Sequence, residues 1–343
     1  MRGVFLVTTL ALTACWADKI QPDRSVASTL PTASASASST PAPAPKAPAA
    51  LRPPFEKIAD ATSHALEAMD ADALYVASMF GAARIEKATG KTVDLTKQQL
   101  PNGEQHLAID ATHVYWVEGI MAPVQLFSVE KTGGTPKLLS KLTFVPEGIA
   151  VDDTRVYLTH RYSGGVLGSI WGVSKKGGPV TSLVPKRSAG SLFVDAGFVY
   201  WAHYEAAEIV FGGNIERWPS KGGPVTALTP LEMPAPFGMV GSGSLFLSKM
   251  CLDEKSTSNP GCTVHSVPAT GGKPHELYTG SWSPCYAASR DVVFVVDQGE
   301  VRVFEPGKPV FVLAKDAPSC EKLLIDDKAL YWSSDLGVVR LPR

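Results

Sequence analysis

The chain has 343 residues and carries 32 Lys plus Arg against 33 Asp plus Glu, so its formal charge of -1 leaves no basic excess to grip a phosphate backbone and argues against a nucleic-acid partner. Five cysteines at 15, 251, 262, 285 and 320 never fall at the C-x-x-C spacing of a zinc or dithiol site. The length admits two ordinary domains or one closed all-β unit, and the order of elements decides between them.

Met1-Arg-Gly opens a positively charged segment, and the apolar run Val4 to Leu12 is too short to span a bilayer, which together predict an export signal. Its end, Leu12-Thr-Ala-Cys15, resembles the lipobox of bacterial lipoproteins. That resemblance implies a signal peptide over 1–14, lipidation of Cys15 and a membrane partner held through the N-terminal lipid. A secretory signal cut near Ala14 or Ala17 is the alternative. Trp16 follows the cysteine where an inner-membrane retention signal has Asp, so the resemblance implies the outer membrane or the cell surface.

From Ser25 to Pro54 the chain uses almost only Ala, Ser, Thr and Pro, with Lys46 and Arg52 as the only charges. Such a composition buries too little apolar surface to offset the entropy of ordering, so residues 15–53 are expected to be a disordered tether. As a flexible coil it would span roughly 35 Å.

The remainder, 54–343, repeats. Short apolar strands end at a turn and are followed by a second strand carrying an aromatic, at Tyr75, Tyr115, Tyr157, Tyr200, Phe246, Phe294 and Tyr331. The separations are 40, 42, 43, 46, 48 and 37 residues, the drift expected of a fixed unit with variable loops. Asp stands five residues before the aromatic at Asp70, Asp110, Asp152, Asp195 and Asp326, with Gly241 and Ser289 in the other two copies. All are residues that favour a tight turn. A third alternating run follows, then a turn that is Gly-Gly at 133–134, 177–178, 222–223 and 271–272, then a fourth short strand.

Four antiparallel strands every forty-odd residues predict an all-β fold, a seven-bladed β-propeller. The seventh copy ends after three strands, and Pro54-Phe-Glu-Lys-Ile-Ala matches the fourth-strand pattern. The last blade is therefore expected to be closed by the N-terminal strand, which removes two exposed sheet edges.

The Val-Tyr-Trp strands preceded by Asp, with Pro146-Glu-Gly-Ile-Ala-Val-Asp152, resemble the repeats of the YWTD propellers of lipoprotein receptors and their bacterial NHL-like relatives. The resemblance covers nearly all of 55–343 and implies a scaffold whose function must be read from a site. The fourth motif position departs from it: Glu118 occupies it in the second repeat, and Asp335 matches only after a shift in the seventh.

The loops between blades, and those between second and third strands, share one face of a propeller, and here they are irregular. The longest are His160-Arg161-Tyr162 onwards, His203-Tyr204-Glu205 onwards, and Lys249 to Gly261. His160, Arg161, Tyr162, His203, Tyr204 and Glu205 combine aromatic faces with donors, the mixture that recognition surfaces favour, and are the candidate ligand-binding set. The alternative is that they pack their own loops. His160 and His203 fall short of a zinc site without a third ligand, and the Asp turns lack the converging oxygens that calcium needs, so no metal or cofactor is expected.

With Cys15 set aside, the pairs Cys251–Cys262 and Cys285–Cys320 are expected, two other connectivities staying open. No Ser, His and Asp set or paired carboxylate can be placed on neighbouring strands. The sequence therefore reads as a non-enzymatic, lipid-anchored binding or scaffold protein of the cell envelope, recognising a protein or glycan through blades three to five. A metal-dependent propeller enzyme, lactonase- or lyase-like, and a structural subunit of an envelope complex are the alternatives.

Overall fold

The structure, a computed structural model, describes residues 54–60, 65–101, 107–160, 168–204, 213–231, 237–241, 243–250, 262–280, 285–289, 292–305 and 308–343. These form seven four-stranded antiparallel sheets arranged as the blades of a propeller, with no helix among the described residues.

From the innermost strand outwards, blade one is Ala65–Met69, Ala73–Ser78, Gly81–Glu86 and Thr92–Thr96. Blade two is Leu107–Ile109, His113–Glu118, Val124–Glu130 and Lys137–Leu142, and blade three Gly148–Val151, Arg155–His160, Ser169–Ser174 and Thr181–Pro185. Blade four is Ala189–Asp195, Phe198–Tyr204, Gly213–Pro219 and Thr226–Leu231, and blade five Phe237–Gly241, Ser244–Met250, Cys262–Pro268 and His275–Gly280. Blade six is Cys285–Ser289, Val292–Asp297, Glu300–Phe304 and Phe311–Lys315. Blade seven takes Leu323–Ile325, Ala329–Ser334 and Gly337–Pro342 from the C-terminus and Glu56–Ala59 from the other end of the chain, pairing antiparallel as Glu56↔Arg340 and Lys57↔Val339. Closure by the N-terminal strand is thus as the repeat pattern predicts.

The second strands carry the core. Tyr75, Tyr115, Tyr157 and Tyr200, with Trp116, Trp201 and Trp332, are among the largest fully buried side chains. Alternation sends each Tyr and its following Trp to opposite sheet faces, so successive blades share aromatic packing. Tyr115 packs with Leu139 and Val156 between blades two and three, while Trp116 packs with Tyr75 and Leu100 between blades one and two.

Each outer strand carries one β-bulge against its neighbour, which leaves a single residue unpaired. That residue is Leu95, Leu139, Leu183, Leu228, Leu277 and Leu313 in blades one to six and Ile58 in blade seven. The bulge turns the outer edge and so blunts its capacity to pair with another chain. It also offers the next blade a carbonyl: Gly178 N–H donates to Leu139 O at 3.0 Å, and Gly272 N–H to Leu228 O at 3.3 Å. Gly90 of blade one lies so close to Ile58 O of blade seven that a β-carbon would stand 2.3 Å from it, at a φ of +71° that itself favours glycine. The recurrent glycine of this turn therefore serves contact between blades as well as turn geometry.

Cys285, the first residue of blade six, is disulfide-bonded to Cys320 in the connection to blade seven. Cys251, and the side chain of Cys262, lie outside what the structure describes, as does Cys15.

Candidate functional site

The two faces of the propeller use their polar groups differently. On the face of the tight turns, four of the repeated aspartates close their turns in the same way. Oδ1 of Asp70, Asp110, Asp152 and Asp326 accepts the backbone N–H groups two and three residues on. Oδ2 accepts the tyrosine hydroxyl five residues on, at 2.9, 2.7 and 2.6 Å for Tyr75, Tyr115 and Tyr157. That same oxygen meets a lysine from the following blade: Lys131 at 2.8 Å from Asp70, Lys175 at 2.5 Å from Asp110, and Lys87 at 2.6 Å from Asp326.

Burial alone would raise the Asp70 carboxyl, but the Lys131 ammonium, the Tyr75 hydroxyl and the turn amides outweigh it and hold it at about 2. Burial, then the adjoining aspartate, pushes the Tyr75, Tyr115 and Tyr157 phenols well above their usual range. The aspartates are turn residues, as their spacing predicts, and Asp70, Asp110 and Asp326 are also latches between blades. Asp195 differs: Ala196 and Gly197, both at positive φ, make its turn, and it pairs directly with Phe198.

The three lysines were not foreseen. Each directly follows the last residue of a third strand, after Glu86, Glu130 and Ser174, and Ser220 and Ala269 take that place in blades four and five. The recurrence just before the glycine turn was the available signal. Its partner in the preceding blade was not visible from spacing.

The loop face is built otherwise. His160 ends the second strand of blade three, and its ring lies 5.3 Å from the ring of Phe144, in the connection from blade two. Phe144 in turn stacks on Trp171 of the third strand at 5.1 Å and 28°. Trp171 Nε1 is buried and has no hydrogen-bond partner. The three rings form one half-buried aromatic row. Burial lowers the basicity of His160, so the row is uncharged at neutral pH. Of its members only His160 is among the candidate residues read from the sequence.

The base of this row is tightly tied. Glu147 N–H donates to Thr159 O at 3.0 Å, Thr159 Oγ1 donates to Gly190 O at 2.5 Å, and Arg187 N–H donates to Gly168 O at 2.8 Å. A β-carbon on Gly168 would stand 2.1 Å from His160 O and 2.7 Å from Arg187 O, so the two ends of the 161–167 loop meet at a point that admits no side chain. Below, buried Glu216 accepts the Trp201 indole N–H at 3.0 Å and lies 3.0 Å from Arg187 Nε. His203 Nδ1 lies 3.2 Å from Ser188 O. Each histidine ring is thus held by the connection entering its own blade. Arg161, Tyr162, Glu205 and the Tyr204 side chain fall outside the described residues. Among the described residues no three His, Cys, Asp or Glu side chains gather as a metal site.

Farther round the same face, the second-to-third-strand turns of blades one and two expose Met79, Phe80 at 65%, Ile120 and Met121 at 76%. They are neighbours: Leu100 N–H donates to Met79 O, and Gly119 N–H to Gln99 O, tying both turns to one connection. Glu118 holds that corner from beneath, accepting the Trp116 indole N–H at 2.9 Å and the Thr96 hydroxyl at 2.6 Å.

No protein-family model matches the chain, and no curated protein matches it in sequence. Among solved structures it is similar to an oligogalacturonate lyase from Vibrio parahaemolyticus, with 10% identity, 84% of this chain and 93% of that chain covered, and a TM-score of 0.59. It is likewise similar to the computationally designed protein Ika8, with 12% identity, coverage of 84% and 99%, and a TM-score of 0.54. BamB from Moraxella catarrhalis aligns at 14% identity over 80% of this chain and 83% of that chain, with a TM-score of 0.48. At these identities the first two likenesses show the fold alone and carry no chemistry across.

Proposed function

We propose that the chain is a non-enzymatic binding or scaffold protein of the bacterial cell envelope, lipid-anchored at Cys15, which recognises a protein or glycan through the loop-rich face of blades three to five. The observation that carries this reading is the row His160, Phe144 and Trp171. It is an uncharged aromatic surface on a base pinned by Gly168 and Arg187, with an indole N–H that has no partner. Flat aromatic area suits a sugar face or an apolar side chain, and a rigid base lowers the entropy lost on binding. Arg161, Tyr162, His203, Tyr204 and Glu205 complete the surface in this proposal. The exposed tips at Met79, Phe80, Ile120 and Met121 extend it along the same face.

The turn face is the less suited of the two, since its repeated aspartates and three of its lysines are already engaged with one another. The reading is tested with a photoreactive residue at Phe144 and, in a separate strain, at Lys221 in a glycine turn. A discrete adduct from position 144 that is absent from position 221 supports it. Equal labelling from both positions contradicts it. Anchoring is tested separately by fatty-acid labelling, which Cys15→Ser should abolish.

A further inference from the structure

The turns between second and third strands are built alike in blades one, six and seven but carry different chemistry. Ser78 pairs with Gly81, Asp297 with Glu300 and Ser334 with Gly337, so each hairpin closes over two residues. Those residues are Gln298 and Gly299 in blade six and Asp335 and Leu336 in blade seven, with Gln298 and Asp335 exposed. In blade one they are Met79 and Phe80, and the longer turn after Glu118 in blade two adds Ile120 and Met121, all four exposed. A hairpin end gains nothing in water from consecutive long apolar side chains, so a departure from polar turn chemistry confined to two neighbouring blades points to a function. The two turns are also held as one rigid unit, since Leu100 N–H donates to Met79 O and Gly119 N–H to Gln99 O.

We infer that these tips are a membrane-docking point, seated in the headgroup layer and upper acyl chains of a lipid bilayer. Shape favours lipid: the four side chains stand on the convex ends of hairpins, which a fluid layer accommodates without a matching pocket. Charge agrees with it. Lys97 beside the tips lies 3.1 Å from Asp94, and Glu118 beneath them already accepts the Trp116 indole N–H and the Thr96 hydroxyl, so these carboxylates enter the interface with partners. Lys141, paired with Gln125 where the blade-two turn ends, adds an exposed cation of the kind that meets lipid phosphates. Asp335 of blade seven marks one border of the apolar stretch. This docking rests on the lipid anchor proposed at Cys15, which keeps the propeller near a bilayer and makes the tip contact an intramolecular one, so that a weak contact suffices. Blades one and two then face the lipid, and the row of His160, Phe144 and Trp171 lies beside the membrane surface.

The test uses the full chain with the fluorescent residue dansylalanine in place of Phe80, Gln298 or Lys221, in phosphatidylcholine vesicles with brominated or plain acyl chains. Emission from position 80 is expected to fall at least about twofold in the brominated vesicles, with positions 298 and 221 unchanged, and Met121→Asp should remove most of that quenching as apolar contact is lost. No quenching at 80, equal quenching at 80 and 298, or quenching indifferent to Met121→Asp overturns the inference. A blue shift at 80 that follows protein concentration and not lipid also overturns it, and assigns the tips to a second copy. Fatty-acid labelling of the same samples tells the two readings apart: labelled protein without quenching overturns the docking alone, whereas unlabelled protein overturns the anchor on which it rests.

Discussion

Lys87 Nζ lies 2.6 Å from Oδ2 of Asp326 and 2.6 Å from the carbonyl oxygen of Asp70, so one nearly buried ammonium ties the last blade to the first. It also sits 4.7 Å from the centre of the Tyr331 ring. The residues are 239 apart in sequence, and the contact lies at the seam where the ring closes. The strand Glu56–Ala59 and the Cys285–Cys320 bond act at the same end of the ring, on blade seven and its junction with blade six.

Lys87→Met should destabilise the propeller by about 2 kcal/mol, since Lys87 is 8% exposed and its loss leaves Asp326 partly buried without its cation. Lys131→Met should cost a similar amount. Ser220→Ala, at the corresponding place in blade four, should cost no more than about 1 kcal/mol, because only a neutral hydrogen bond to Tyr157 is lost there. Denaturant midpoints of the three variants check this order.

The latches set a pH window. Asp70, held at about 2 against an ordinary value of 3.8, contributes stability that is present above pH 4 and is lost as the pH falls towards 2. Asp110, Asp152 and Asp326 are shifted in the same direction, each against the opposing effect of burial. Tyr331, raised to about 12 by burial and then by Asp326, contributes stability present below pH 10 and lost between 10 and 12. Stability should therefore be level from about pH 4 to 10 with respect to these groups and fall on both sides. Asp70→Asn should flatten the acid limb, which urea titrations across pH would reveal.

Gly168→Ala should strike the loop face selectively. Its β-carbon would meet the backbone oxygens of His160 and Arg187 at 2.1 and 2.7 Å, so the backbone on one side or the other must shift. We expect a loss of roughly 1 to 3 kcal/mol, together with loss of ligand adducts at position 144. Gly178→Ala on the turn face, where no atom lies within 4 Å of the added carbon, should leave those adducts intact even though its φ of +127° strains the backbone.

Breaking the Cys285–Cys320 bond, which spans 35 residues, should cost about 4 kcal/mol on the loop-entropy model. Cys320→Ser compared with the parent protein by calorimetry measures it. A parent whose melting temperature is unmoved by reductant, with its thiols shown free, would contradict the assignment.

Much of the scaffold could be read from the residues. A Tyr recurring behind a turn-forming Asp announces the second strand, and the Pro54 segment matches a fourth strand by pattern, so blade number and closure followed from periodicity. Contacts between repeats were harder. Lys131 meets Asp70 of the preceding blade, and nothing in a linear repeat states which neighbour a side chain will lean towards. The bulge leucines were equally quiet, because one extra residue in a short strand leaves the apolar pattern almost unchanged. His160 was singled out for its position in a long loop. Its partners Phe144 and Trp171 come from separate elements, and only the packing of blade two's exit against blade three brings them together.

The most direct measurement of the proposed role is a photo-crosslinking scan in intact cells, with the reactive residue placed in turn at Phe144, His160, Lys176 and Lys221. One recurring adduct is expected from the loop-face positions 144 and 160, and none from 176 and 221. Adducts arising chiefly from the turn-face positions would contradict it.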